Sequence, residues 1–336
     1  MLELLAELCS LDGTSGSEER VREYILSQLP GCEYHVDALG NLIVSVKGKK
    51  RAKNRVMLCA HMDEVGVMAT FISADGTIKF NTVGGIRPAV LVGKSVRFTN
   101  GTVGVIGIKP VHLCTEDEKN TLPDVGAMCI DIGADSREQA LERVAPGDTA
   151  VFTSEYTRMG DKILSKAIDD RAGCAVMLDM IKKGVEYDMT FCFNVQEEVG
   201  LRGAITSTYA VSPDYAIVLE STTAADIADV PEEKQVCVLG RGAAVSFMDN
   251  ATVYDPALFR KAFEIAEANG IKAQPKTMIA GGNDAGSVHK SGAGVKTLTI
   301  NLPCRYIHSA SCVCDRRDLT EVRALAEKVG EYFAEA

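Results

Sequence analysis

Tryptophan is absent from this chain of 336 residues, and aromatic residues of all kinds make up only 6% of it. Sugar-binding clefts depend on aromatic platforms for the apolar faces of their ligands, so this scarcity weighs against a glycoside hydrolase, although paired carboxylates are that class's usual machinery. Positive charge is also in short supply. There are 36 Lys and Arg against 46 Asp and Glu, a net charge of -10, and no basic cluster offers a footprint for nucleic-acid phosphates. No apolar run approaches the length of a membrane-spanning helix. The opening Met1-Leu2-Glu3-Leu4-Leu5-Ala6-Glu7 carries acids where a signal peptide carries bases. Eleven cysteines are present without a single C-x-x-C pair. Several lie inside apolar runs, as Cys59, Cys129, Cys174 and Cys192 do, which points to reduced core thiols in a cytoplasmic protein and away from a disulfide framework or zinc finger.

What the chain does have is a set of hydrophobic, strand-like runs that each lead into an acid or an imidazole. Val56-Met57-Leu58-Cys59-Ala60 runs into His61, with Asp63 two residues on; the run from Met189 to Val195 leads into Glu197-Glu198. Tyr215-Ala216-Ile217-Val218-Leu219 reaches Glu220, and the run beginning at Val295 leads to His308. A further pair, Asp169-Asp170, precedes an amphipathic stretch. Open α/β sheets gather ligands just outside the carboxyl ends of their strands, so these distant residues are expected to converge. Oxygen ligands mixed with imidazole suit zinc, cobalt or manganese, whereas a structural zinc site uses thiolates. Three carboxylates around one divalent ion leave excess negative charge. A carboxylate shared between two ions about 3.5–4 Å apart balances it and gives a two-metal hydrolytic site.

Five motifs in order, AHMDEVG at 60–66, VLVGKSVRF at 90–98, AIDDRAG at 167–173, QEEVGLRGA at 196–204 and RYIHS at 305–309, make the chain similar to the TET-like dinuclear-metal aminopeptidases. That family includes glutamyl, leucyl and deblocking enzymes, some of them mislabelled as endoglucanases. The resemblance implies an exopeptidase that removes N-terminal residues from short peptides through a hydroxide bridging two divalent ions per subunit. By the same resemblance His61 and His308 are terminal ligands of the two metals, Asp169 bridges them, Glu198 is a further ligand and Glu197 is the general base. Glu220 stands where many members carry aspartate. Asp63 matches a residue that holds the His61 imidazole, a support metal-bound histidines usually require. A cis peptide between Asp169 and Asp170 is implied as well. The glycine-rich stretch Gly281-Gly282-Asn283-Asp284 resembles an active-site loop, and His289 lies close to it in sequence. A non-catalytic protein on a hydrolase fold remains a second alternative, which the complete set of ligand types disfavours.

The order of elements indicates a layered α/β domain with a mixed central sheet, formed by residues 1–66 and 161–336. Residues 67–160 read as a β-rich, barrel-like insertion, with Asp75-Gly76 and Asn100-Gly101 at hairpin turns and one clear helix at 137–143. The resemblance implies that this insertion mediates a homo-oligomer, from a dimer up to a tetrahedral dodecamer. Ser15-Gly16-Ser17-Glu18 has capping-box spacing ahead of a helix at 21–29, Asp255-Pro256 opens another that stops near Gly270, and Asp318-Leu319-Thr320-Glu321 opens the last.

Overall fold

A computed structural model describes residues 1–336. Its centre is a large mixed sheet built on the apolar runs noted above. Val56–His61 lies between Met189–Asn194 and Tyr215–Thr223, and Tyr215–Thr223 in turn pairs with Lys296–Arg305, all in parallel. Antiparallel strands extend both sides, Leu42–Val46 beyond Met189–Asn194 and Cys312–Asp315 beyond Lys296–Arg305. The four parallel strands have helices on both faces, which is why they read as nearly unbroken hydrophobic runs. Along Val56–His61 the side chains alternate between layers. Val56, Leu58 and Ala60 enter a core of 48 buried residues shared with the helices Leu2–Ser10, Ile168–Lys183 and Arg316–Glu335. Met57 and Cys59 enter a smaller core on the opposite face, beneath Arg202–Val211 and Ala285–Val288.

Six strands between Gly66 and Phe152 close into a barrel with its own core of 19 buried residues, Phe80, Phe98 and Phe152 among them. Closure leaves the barrel no open sheet edge. At both expected turns the glycine alone takes the left-handed conformation: φ is +84° at Gly76 and +92° at Gly101. Ser73 N–H donates to Thr77 O and Phe98 N–H to Thr102 O, so each hairpin has a three-residue loop ending in glycine.

Four expectations need correction. The segment between the first and last barrel strands contains short helices at Pro88–Leu91 and Glu116–Asn120 besides Arg137–Leu141. Thr115 and Glu118 form a complete capping box there, a signal available in the sequence. The last helix begins at Arg316, because Asp315 and not Asp318 caps it by accepting the Arg317 N–H. Asp318 turns instead to the backbone amides of Gly240 and Gly242. Ser15 and Glu18 do not cap Glu19–Ser27, whose first turn has no side-chain cap. Glu220 is not at a strand end, since its strand continues three residues further, to Thr223. None of the helices is long and apolar enough to cross a membrane, and all eleven cysteines are free thiols.

Candidate metal centre

The parallel strands deliver the site. His61 ends one of them and Glu220 lies within its neighbour, while Asp169 sits at the entrance to Ile168–Lys183, where Asp169 and Asp170 are non-helical and their peptide is cis. His61 Nε2 is 3.4 Å from Asp169 Oδ1 and 3.4 Å from Glu220 Oε1. On the other side of the same aspartate, His308 Nε2 is 3.4 Å from Asp169 Oδ2 and 3.3 Å from Glu198 Oε2. Two clusters, His61/Asp169/Glu220 and Asp169/Glu198/His308, thus share one carboxylate. All five expected ligands are brought together.

The donor set fits divalent cations. Metal–ligand bonds of about 2.0–2.2 Å in tetrahedral geometry separate neighbouring ligand atoms by about 3.3–3.6 Å, the spacing of each imidazole nitrogen from its two carboxylate partners. Asp169 Oδ1 and Glu220 Oε2 are buried without a hydrogen-bond partner, an arrangement that is costly unless a cation meets them.

The electrostatics express the same shortage of positive charge. Burial pushes Glu220 and Glu197 well above the usual carboxylate range; His61 opposes the shift and nearby acids add to it. Burial and Asp169 raise Glu198 to about 7. Burial alone would lower the imidazoles, yet Glu220, Asp169 and Asp63 hold His61 well above its ordinary value, and Asp169 and Glu198 raise His308 to about 10. Asp169 is held low despite burial, because both imidazoles face it.

Each imidazole is fixed through its second nitrogen. His61 Nδ1 lies 3.1 Å from Asp63 O and 3.4 Å from Asp63 Oδ1, and His308 Nδ1 lies 2.9 Å from Gly85 O. Gly85 belongs to the insertion, residues 67–160, which supplies none of the five expected ligands but gives one expected imidazole the acceptor that a ligating histidine needs for its other N–H.

Asp63 does more than face His61. Its carboxylate accepts the backbone N–H groups of Glu197 and Glu198 at 3.0 and 3.1 Å and the Ser15 hydroxyl at 2.6 Å. Glu197 joins neither cluster and lines a cavity of about 310 Å³ together with Asp169, Glu198, Glu220 and His308. The uncharged part of that wall includes Leu201, Thr222, Thr223, Gly281, Gly282 and Ile307. Asp284 is buried behind the wall, accepting from Asn194 Nδ2 at 2.7 Å, and burial raises it to about 6. His289 keeps to its own helix, Nδ1 lying 2.6 Å from Ala285 O.

Some supporting residues escaped the sequence reading. Lys166 and Arg171 both reach Glu64 inside the protein, at 2.6 and 3.4 Å, tying the segment that carries His61 to the one that carries Asp169. Buried charges of this kind need a partner, but nothing in the spacing of 64, 166 and 171 identifies the pairing in advance.

Comparison with known proteins shows the family. The peptidase M42 profile, described as M42 glutamyl aminopeptidase, matches residues 40–325. A putative aminopeptidase from Acetivibrio thermocellus is 38% identical, with 98% of each chain covered. A glutamyl aminopeptidase from Lactococcus lactis (96% of this chain, 93% of the other) and a lysyl aminopeptidase from Pyrococcus furiosus (98% and 96%) are each 31% identical. Among solved structures, an aminopeptidase from Desulfurococcus kamchatkensis superposes with a TM-score of 0.92 at 33% identity, covering 98% of this chain and 96% of its own. The TET1 peptidase of Pyrococcus horikoshii, described as assembling into a tetrahedron or a large octahedral shell, gives 0.85 at 35% identity and 98% coverage of both. A Thermotoga maritima structure described as an endoglucanase gives 0.81 at 33% identity, covering 98% and 99%, so that label does occur within this fold. With 286 consecutive residues inside the profile and aminopeptidases along its whole length as relatives, the chain belongs to the peptidase M42 family of metal-dependent aminopeptidases.

Proposed function

We propose that this aminopeptidase works with two divalent cations, zinc or cobalt in preference to manganese, held by His61, Asp169 and Glu220 on one side and by Asp169, Glu198 and His308 on the other. The observation that carries the reading is that the two oxygens of Asp169 face separate clusters, each with its own imidazole and second carboxylate. When bound, such a pair supplies Lewis acidity toward the scissile carbonyl and lowers the pKa of water. The rest is the work of the chain's own residues. Glu197 lines the cavity without joining a cluster, so its carboxylate is free to take a proton from the attacking water and pass it to the leaving amine. Asp63 keeps His61 in place and holds the backbone of both glutamates. The carboxylates of the cavity attract the α-ammonium group of a peptide, which restricts cleavage to chain ends.

Residues 1–66 and 161–336 form the catalytic domain in this reading, and residues 67–160 an assembly domain with a separate core. A homo-oligomer, from a dimer up to a hollow dodecamer, limits substrates to short or unfolded peptides. The free thiols suit the cytoplasm. The test is to strip the protein with a chelator, restore each metal in turn, and assay amino-acid p-nitroanilides and cellulose side by side. Anilide hydrolysis is expected to vanish and return with metal, and cellulose to remain intact. Hydrolysis that survives complete metal removal overturns the reading, and so does release of sugar.

A further inference from the structure

The Ser15-Gly16-Ser17-Glu18 spacing is absorbed neither by the helix it precedes nor by the metal clusters. The side chains of Ser15 and Glu18 reach far along the chain. Ser15 Oγ donates to Asp63 Oδ2 at 2.6 Å, while Glu18 Oε1 accepts the Gln196 N–H at 3.1 Å as well as the Gly16 N–H at 2.8 Å. The turn is itself fastened to the site, because Glu64 N–H donates to Gly13 O at 2.9 Å and Thr14 bridges Glu64.

What Glu18 reaches is the point where two adjacent glutamates are made to face one cavity. Successive side chains in a strand point to opposite faces. Glu197 and Glu198 both line the cavity because Gln196 leaves strand geometry with φ +56°. A residue other than glycine persists in that left-handed conformation only where its surroundings hold it. Here four consecutive N–H groups are each given an acceptor on a buried side chain. Asn41 Oδ1 takes that of Val195 at 2.9 Å, Glu18 that of Gln196, and the two oxygens of Asp63 those of Glu197 and Glu198. Bonds to carboxylates are the stronger kind, and Glu18 is the side chain that accepts the N–H of the left-handed residue itself.

We infer that Glu18 is a positioning residue for the reaction: by accepting the Gln196 N–H it sets the turn that aims Glu197 into the cavity. The inference rests on the reading of Glu197 as general base. A misplacement of about 1 Å in a reacting group lowers turnover about 100-fold. Glu18→Ala is therefore expected to reduce kcat by about 10- to 100-fold, with KM and metal content close to those of the parent protein. Glu18→Gln keeps an acceptor oxygen at the same reach and is expected to recover most of the loss, which a charge acting at a distance would not allow. Parental kcat in Glu18→Ala overturns the inference. So does a Glu18→Gln variant as slow as Glu18→Ala, or a loss of activity that follows loss of metal. Should Glu18→Ala fail to fold, Glu18→Asp draws the acceptor back by one methylene; reduced kcat with full metal content is then expected, and parental kcat is the overturning result. Glu197→Gln is measured alongside. If it remains active, the general-base reading fails; if it is inactive while Glu18→Ala is unimpaired, only the positioning role fails.

Discussion

The proposed function gives the neighbours Glu197 and Glu198 different duties, and substitution separates them. Glutamine at 197 keeps size and hydrogen bonding but cannot accept a proton from water. Glu197→Gln is therefore expected to retain its metal while kcat falls about 10²- to 10⁴-fold, the range for a positioned general base. Glu198→Gln removes charge from a cluster in which Glu198 Oε2 lies 3.3 Å from His308 Nε2, and is expected to release metal first. Metal analysis beside steady-state kinetics decides the matter, and an empty Glu197→Gln with a loaded, inactive Glu198→Gln reverses the two roles. At Glu220 the chain differs from relatives expected to carry aspartate. The residue lies within a strand and its Oε1 comes within 3.4 Å of His61 Nε2. Glu220→Asp keeps the charge and loses one methylene of reach, so it is expected to hold both metal equivalents, whereas Glu220→Ala loses one. Equal metal content in all three proteins makes Glu220 a bystander.

At the scale of elements, the turn from strand Met189–Asn194 into helix Arg202–Val211 is the part most sensitive to shape. Gly203 packs against Asn41 Oδ1 and the backbone of Val195, so an added methyl group would displace the stretch that presents both glutamates. Gly203→Ala is expected to destabilise the fold by about 1–3 kcal/mol, as overpacking does, and to lower kcat as well. Denaturant unfolding and kinetics check the two effects, and an unchanged midpoint together with parental turnover shows that the turn tolerates the methyl. The insertion reaches the site through Gly85 O, 2.9 Å from His308 Nδ1. That contact was hidden from the sequence because a carbonyl oxygen carries no residue-type signal.

For the molecule as a whole, metal and assembly are the quantities to measure. A ligand that binds only the folded state at about 100 times its dissociation constant adds about 2.7 kcal/mol of stability. Two acidic clusters without cations should make the stripped protein distinctly less stable, and thermal unfolding with and without chelator is expected to show a higher midpoint for the loaded form. Coincident melting curves would mean that the clusters hold no ion in solution. Light scattering at micromolar concentration is expected to report a dimer or larger assembly. A fully active monomer at that concentration removes the proposed role of residues 67–160.

The sequence by itself determined which residue types meet. Hydrophobic runs of strand length marked the central sheet, and the acids and imidazoles near their ends marked the candidate metal centre, because parallel strands bring those positions to one edge whatever the loops between them do. It also marked helix starts wherever a cap acts locally, as Asp255 does for Pro256–Ala268. Local signals failed where a side chain had a distant alternative. Ser15 and Glu18 have capping spacing yet bond to Asp63 and Gln196, and Asp318 leaves the cap to Asp315 because two loop amides claim it. Those choices belong to tertiary structure alone. Each buried donor and acceptor must be satisfied somewhere, and the nearest partner in space is fixed only when strands 133 residues apart in sequence have paired, as Val56–His61 and Met189–Asn194 do.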